Sequence, residues 1–369
     1  MDSRNDVRRC PRPIRNFLVA FDDEGRGTDM RVFIGEFICG GGMRRRTVDA
    51  IDPSMMAEGS AMLAALAKDF AEVADLSIPI DHRFCPSLPQ STLHEMDVQL
   101  PLWGQWVRAA QGCDAAILIA PESNGVLAKA VGMLRAGGID VIASTGDFLR
   151  ATSDKQITSR VFASGGVPHP FTFNADDPKS NERLKGFRQY IVKPRDGCGT
   201  KQISVFENVD DAISASTKDH VLQSYVPGKP ISIAAIAHAG ELVTLPAVSQ
   251  DIALANCAYL GGCGPLPDDE QRRAAALAQK ALAALPLSAR GFIGFDLILG
   301  EENSGDVVVE VNARLTTSYV GLRHIVSGNL AARLLGLESG PVQCKTSADS
   351  VRWTPSGEVW VHDQLVANG

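Results

Sequence analysis

Two apolar runs in the last third of the chain, each carrying a carboxylate, restrict its fold more than any other stretch. They are Gly291-Phe292-Ile293-Gly294-Phe295-Asp296-Leu297-Ile298-Leu299 and Asp306-Val307-Val308-Val309-Glu310-Val311-Asn312, joined by a polar break. Side chains alternate between the faces of a strand, so Glu310 and Asn312 share one face, away from Val309 and Val311. With the loop centred near Asn303, Asp296 stands across from Glu310, and such cross-strand neighbours have β-carbons roughly 5 Å apart. Two carboxylates this close repel unless a cation or a proton lies between them. Together with an amide oxygen they form a hard-oxygen set suited to Mg²⁺, which keeps several waters and takes further ligands from substrate phosphates. The plainer alternative is a sheet whose exposed face happens to be acidic. Strongly apolar flanks argue instead for a covered strand pair, where an acidic face needs a partner. Arg314, two residues beyond Asn312, can point to the same side and meet a phosphate, and Thr316, Thr317 and Ser318 add hydroxyls.

Phosphate chemistry also needs cations and bare backbone. Lys193 ends an apolar strand, Tyr190-Ile191-Val192-Lys193-Pro194, and Arg195-Asp196-Gly197-Cys198-Gly199-Thr200-Lys201 follows. Glycines remove β-carbons, so backbone N–H groups can approach phosphate oxygens closely. Taken alone, a glycine-rich turn between strands is equally an ordinary hairpin. The segment is not GxxxxGK[ST], so a P-loop is unsupported. Nor is it GxGxxG opening a helix, which leaves a dinucleotide-binding reading poor. Lys155 stands at a helix start, where it could equally be surface. Downstream, Val221 to Gly228 is a strand leading into a turn, able to offer backbone donors and acceptors to the edge of an adenine ring.

The remaining sequence sets the frame. A chain of 369 residues with 45% hydrophobic content has room for two or three domains and a sizeable core. Its net charge of −7 argues against a broad nucleic-acid footprint. No apolar run reaches the roughly 18 residues of a membrane span. Eight scattered cysteines, without CxxC or zinc-finger spacing, read as free thiols, and the cytoplasm is the expected setting. Residues 1–29 read as a flexible tail. From 30 to 150, strand 31–36, a helix carrying Leu63, Leu66 and Phe70, strand 115–120, a helix with Leu127, Val131 and Leu134, and strand 140–143 alternate, which predicts a parallel α/β layer. From 151 the pattern is α+β, divided here into 151–225, containing the glycine loop, and 226–335, containing the acidic hairpin. Ser153 is the expected N-cap of a helix bearing Ile157, Val161 and Phe162. Strands are expected at 189–193, 202–206, 220–225, 231–237, 241–246, 292–299 and 306–312, with a long helix near 270–285. Residues 336–369 are expected as an extension ending in a hairpin.

In order, "SDK..T" at 153–158, "IVKPRDGCGT" at 191–200, "LQSYVPGKPIS" at 222–232, "GFDLIL" at 294–299 and "EVNARLTTS" at 310–318 resemble the ATP-grasp superfamily. The resemblance runs from Met30 to about Leu335. It implies an N-terminal parallel pre-ATP-grasp domain and two α+β subdomains clasping ATP. Lys155 and Lys193 would then contact the ATP phosphates, and the loop from Asp196 through Gly197, Gly199 and Thr200 to Lys201 would close over them. The backbone of Gln223, Ser224, Tyr225 and Val226 would hold adenine. Asp296, Glu310 and Asn312 would bind one or two Mg²⁺, with Mn²⁺ an acceptable substitute, and Arg314 would stabilise the transferred phosphoryl group. Where many relatives place ribose-binding glutamates, this chain has Ser224 and Pro230.

"GEFICGGG" at 35–42, "IAPESNGVL" at 119–127 and "RLTTSYVGLR" at 314–323 look most like the tyramine–glutamate ligase group, which serves methanofuran-type cofactor synthesis. That finer resemblance implies small-molecule carboxylate and amine substrates, an acyl phosphate intermediate, ADP release and, by analogy, a homodimer. By similarity to dipeptide ligases, Glu36 would bind a substrate ammonium and Ser318 would touch the acceptor; for Glu36, a buried structural glutamate is the plainer reading. Other readings are an amino-acid or dipeptide ligase with different substrates, an ATP-binding regulator without turnover, and a nicotinamide-dependent oxidoreductase built on the N-terminal layer.

Overall fold

The structure is a computed structural model, and it describes residues 30–84, 86–174, 182, 184–197, 203–253, 257–346 and 350–367. Strands β1 (Arg31–Glu36), β2 (Asp75–Ile80), β3 (Thr92–Glu95) and β4 (Ala115–Ile119) form a parallel sheet in the order β3-β2-β1-β4. Neighbouring strands β1 and β4 are buried apolar runs, as a sheet covered on two faces requires. Helix Pro53–Phe70 starts with Pro at its first turn, and the Asp52 carboxylate accepts from the Ser54 N–H. Its Leu63, Leu66 and Phe70 are fully buried. Helix Val126–Ala136 likewise buries Leu127, Val131 and Leu134.

Two local expectations need correction here. Residues 140–143 form only a single parallel bridge, Ala116 to Val141. The Arg135 guanidinium takes the Val141 and Ala143 carbonyls, so these are not available to a longer ladder. Nor does Ser153 cap the next helix: it closes the short helix Gly146–Thr152, donating to the Leu149 carbonyl. The cap of Lys155–Ser164 is Asp154, whose Oδ1 accepts from the amides of Gln156 and Ile157.

A second, antiparallel sheet contains β5 (Thr172–Asn174), β6 (Tyr190–Pro194), β7 (Ser204–Phe206) and β8 (His220–Ser224), in the order β5-β8-β6-β7. It has its own small core of Leu184, Tyr190, Val192, Ala212 and Leu222, distinct from the main core.

The third sheet comprises β9 (Lys229–His238), β10 (Glu241–Thr244), β11 (Val248–Ile252), β12 (Tyr259–Gly264), β13 (Gly291–Leu299), β14 (Val307–Asn312), β15 (Val351–Trp353), β16 (Val359–Val361) and β17 (Gln364–Ala367). Its order is β14-β13-β9-β11-β12-β15-β16-β17, with β10 beside β9. Helix Asp268–Ala284 lays Ala274, Leu277, Ala278 and Ala281 against β9, β13 and β14. The terminal segment is therefore more than the expected hairpin: three strands extend the main sheet through the β12–β15 pairing. Trp353 anchors them. Its buried ring lies over Gly262 and Gly321, where a β-carbon at either position would collide with the indole.

Candidate nucleotide and metal site

The β13–β14 register pairs Asp296 with Glu310 and Gly294 with Asn312. A bulge follows, since Leu297 pairs with Val308, leaving Val309 as the extra residue. Each carboxylate has a different set of partners. Asp296 accepts from Gln250 Nε2 at 2.7 Å through Oδ1 and from Asn312 Nδ2 at 3.0 Å through Oδ2. Glu310 faces cations: Lys155 Nζ lies 3.0 Å from Oε1, and Lys193 Nζ 3.9 Å from Oε2.

This division sets the electrostatics. Burial, helped by the charge of Glu310, pushes the Asp296 carboxyl up to about 6. Burial also acts to raise Glu310, but Lys155 and Lys193 outweigh it and hold that carboxyl below the usual range. Burial brings the Lys193 ammonium down to about 8, against the pull of Glu310.

Lys155 ties three elements together. It begins its own helix, its ammonium reaches Glu310, and it donates to the Gly197 carbonyl at 2.6 Å. Arg195 reinforces the junction: its carbonyl accepts from the Lys155 N–H, and its guanidinium donates to Asp154 at 2.6 Å. Asp196 faces elsewhere, accepting from the Asn124 N–H at 3.0 Å and so binding the N-terminal layer to the loop root. Gly199, Thr200 and Lys201 lie outside the described residues.

Gln223 and Ser224 are buried within β8. Gln223 donates through its side chain to Thr172 at 2.7 Å. The amides of Ser224 and Tyr225 are bonded to the Phe171 and Gln189 carbonyls, so Val226 carries the first amide past that ladder. An adenine edge meeting this segment would find its donor there rather than along all four residues.

Arg314 extends from the end of β14 towards the N-terminal layer. Its Nε donates to Glu122 at 2.7 Å, and its Nη2 reaches Asn312 Oδ1 at 3.4 Å. Ser318 is buried with its hydroxyl 2.8 Å from that of Thr316. Glu36 is placed differently from an ammonium receptor. It is buried, its Oε2 accepts from the Cys39 N–H at 2.6 Å, and its carboxylate sits against Gly59. Burial raises its carboxyl despite those backbone bonds. It braces the turn after β1.

A divalent cation fits the hairpin. Repulsion from Glu310, which adds to burial in raising Asp296, is what such a charge would relieve, and the carboxylates of Asp296 and Glu310 with the amide oxygen of Asn312 are hard donors. Among the described residues no group of three His, Cys, Asp or Glu side chains gathers into a ready-made metal cage. An ion here would need phosphate oxygens to complete its shell, as Mg²⁺ commonly does. Two neighbours went unnoticed in the sequence. Gln250 belongs to β11, whose polar Val-Ser-Gln-Asp-Ile lacks a strand's apolar alternation. Glu122 follows β4, and the end of a parallel strand was a usable signal, because ligands gather at the carboxyl ends of such strands.

Residues 152–318 match the ATP-grasp domain family, and residues 74–147 match the pre ATP-grasp 3 domain family. The fold is that of ATP-grasp proteins, with a parallel N-terminal sheet and antiparallel subdomains. Such a domain implies ATP binding, typically with Mg²⁺. Its curated relatives are distant. A carbamoyl-phosphate synthase of Methanobrevibacter smithii is 27% identical over 233 residues, covering 60% of this chain and 62% of the relative. Tyramine–L-glutamate ligase of Methanocaldococcus jannaschii is 21% identical over 214 residues, covering 58% and 60%. The match thus spans about three fifths of the length of these relatives. Among solved structures, an ATP-grasp superfamily protein of Archaeoglobus fulgidus aligns with a TM-score of 0.65 at 22% identity, covering 88% of this chain and 92% of that one. N5-carboxyaminoimidazole ribonucleotide synthetase of Thermotoga maritima aligns at 0.61 and 15%, covering 88% and 80%. At these identities the likeness is one of fold.

Proposed function

We propose that this chain is an ADP-forming ligase that uses Mg-ATP to activate a carboxylate and join it to an amine, with glutamate as the acid and tyramine or a tyrosine-like amine as acceptor. One observation carries the ligase reading: Lys155, Lys193 and the Asp296–Glu310–Asn312–Arg314 group come from three separate segments and meet at one place. The distant likeness to tyramine–L-glutamate ligase supports the choice of substrates.

Asp296, Glu310 and Asn312 would hold Mg²⁺, whose charge, when bound, neutralises phosphoryl oxygens. Lys155 and Lys193 would exchange Glu310 for ATP phosphates, holding the γ-phosphate in line with the attacking carboxylate. That attack gives an acyl phosphate and ADP; the amine then displaces phosphate and forms the amide. Arg314 would stabilise the charge developing in either step. The acyl phosphate hydrolyses readily, so the sheet bearing the glycine loop would serve to exclude water.

The test is direct. Purified chain with Mg-ATP, glutamate and a panel of amines should release ADP and give a glutamyl amide detectable by mass. Amides of other acids without glutamyl products would remove the substrate assignment and leave a ligase of different specificity. No ADP release with any acid–amine pair would leave an ATP-binding regulator instead.

A further inference from the structure

Glu122 is a buried carboxylate with only half its acceptor capacity in use. Oε2 takes Arg314 Nε, while Oε1, shielded from solvent, has no hydrogen-bond partner among the described residues. Leaving a buried charged acceptor unsatisfied is costly, and such atoms call for a functional explanation. The position is also well fixed. Glu122 follows β4 in a turn closed by the Gly125 N–H to its own carbonyl, and Asn124 and Gly125 both adopt left-handed backbone, at φ 55° and 65°. The same turn reaches the glycine loop through Asn124 and Asp196, and the metal strand through Arg314. Glu122 therefore stands where the nucleotide jaw, the acidic hairpin and the N-terminal layer converge.

The charges around it narrow what the free oxygen can receive. Glu58, on helix Pro53–Phe70, is a further carboxylate of the N-terminal layer that feels the Arg314 charge, which opposes the rise that burial gives its carboxyl. Two carboxylates from the N-terminal layer around one arginine disfavour an anion. A divalent cation would need more oxygens than one. An N–H donor carrying a single positive charge satisfies Oε1 and balances the excess negative charge.

Resting on the ligase reading above, we propose that Glu122 Oε1 receives the ammonium of the incoming amine and takes one of its protons, which frees the nitrogen lone pair to attack the acyl phosphate; the second proton lost as the amide forms leaves with the departing phosphate. The acceptor subsite then lies at the carboxyl end of β4, not at Glu36, whose carboxylate is engaged by its own loop. Arg314 holds Glu122 by the other oxygen and links the subsite to the reacting centre.

Glu122→Gln tests this while keeping size and an oxygen for Arg314. Two acceptors are compared in the same preparation with glutamate and Mg-ATP: tyramine, which arrives as an ammonium, and hydroxylamine, which is uncharged at neutral pH and traps an acyl phosphate as hydroxamate. Because the comparison is a ratio, it does not depend on the fraction of variant that folds. The ratio of glutamyl tyramide to hydroxamate should fall at least about tenfold, with a raised KM for tyramine, as expected for one lost charge-assisted contact. Glu58→Gln should shift the ratio the same way by less. An unchanged ratio in Glu122→Gln, with both products reduced together, means that the residue only orients Arg314 and overturns the assignment. Absence of hydroxamate from the unaltered chain with glutamate overturns the glutamate assignment, and absence with every acid overturns the ligase reading itself and the subsite with it.

Discussion

Asp296 pays in stability for its place opposite Glu310. Its folded carboxyl, at about 6, lies above the ordinary 3.8, so the stability it contributes is complete below that lower value and is lost as pH rises through 6. Asp296→Asn should therefore stabilise the fold at pH 7 by on the order of 1–3 kcal/mol in urea titrations, since the facing amides of Gln250 and Asn312 can turn to suit the new side chain. The same change should lower turnover by at least about 100-fold, in line with loss of one electrostatic stabiliser. A variant that loses stability as well would mean that the carboxylate is favourably solvated where it stands. Activity should titrate too. For Mg-ATP, kcat/KM should rise through about pH 6 as Asp296 ionises and fall above about 8 as Lys193 loses its proton. Lys193→Arg should remove the alkaline limb, whatever its effect on rate. A flat profile from 5 to 9 would count against both assignments.

At the scale of elements, the hairpin is secured at its far end. Asp306 accepts from Arg273 Nε at 3.0 Å and from the Gly300 N–H at 3.0 Å, and both members of the ion pair are largely shielded. Arg273→Ala strands a buried carboxylate and should cost about 3–5 kcal/mol, whereas the charge-free double variant Arg273→Met, Asp306→Asn should recover most of it. Chemical denaturation of the three proteins decides the matter; equal losses in both variants would show that packing, not charge, dominates there. The same elements show what a sequence can reveal. β13 and β14 were legible because each is a continuous apolar run interrupted by a carboxylate, and the register followed from the loop centre. The extra residue at Val309 was not legible, since a bulge leaves no local signature in a run of valines. β11 and β12 were hidden for a different reason: Val-Ser-Gln-Asp-Ile and Tyr-Leu-Gly-Gly-Cys-Gly become strands by pairing with β9 and β15, not by propensity. Lys155 and Lys193, which meet at Glu310, were readable from their place beside strand and helix ends. For Glu122 the end of β4 marked only the place, since its pairing with Arg314 joins positions 192 apart.

Across the whole molecule, two cores of unequal size have a dynamic consequence. The small cluster around Tyr190 and Leu222 holds only its own sheet, and polar contacts join that sheet to the rest at Lys155, Arg195 and Asp196. A unit with little buried surface opens more readily than its neighbours. Amide exchange in β6 and β8 should therefore be faster than in β9 and β13, and should slow several-fold when a non-hydrolysable Mg-ATP analogue is added. Asp196→Ala, which releases the Asn124 contact, should quicken that exchange and raise KM for ATP. Identical protection in the two sheets with and without nucleotide would show that they move as one body.

The indole of Trp353 has a consequence for comparisons between relatives. Its ring occupies the room that side chains at 262 and 321 would need, so the three positions form a single steric decision. A homologue with a small residue at 353 has room for a side chain at 321, whereas the Ser249 carbonyl still confines position 262. Chimaeras that exchange the last strands between homologues should fold only when all three positions travel together.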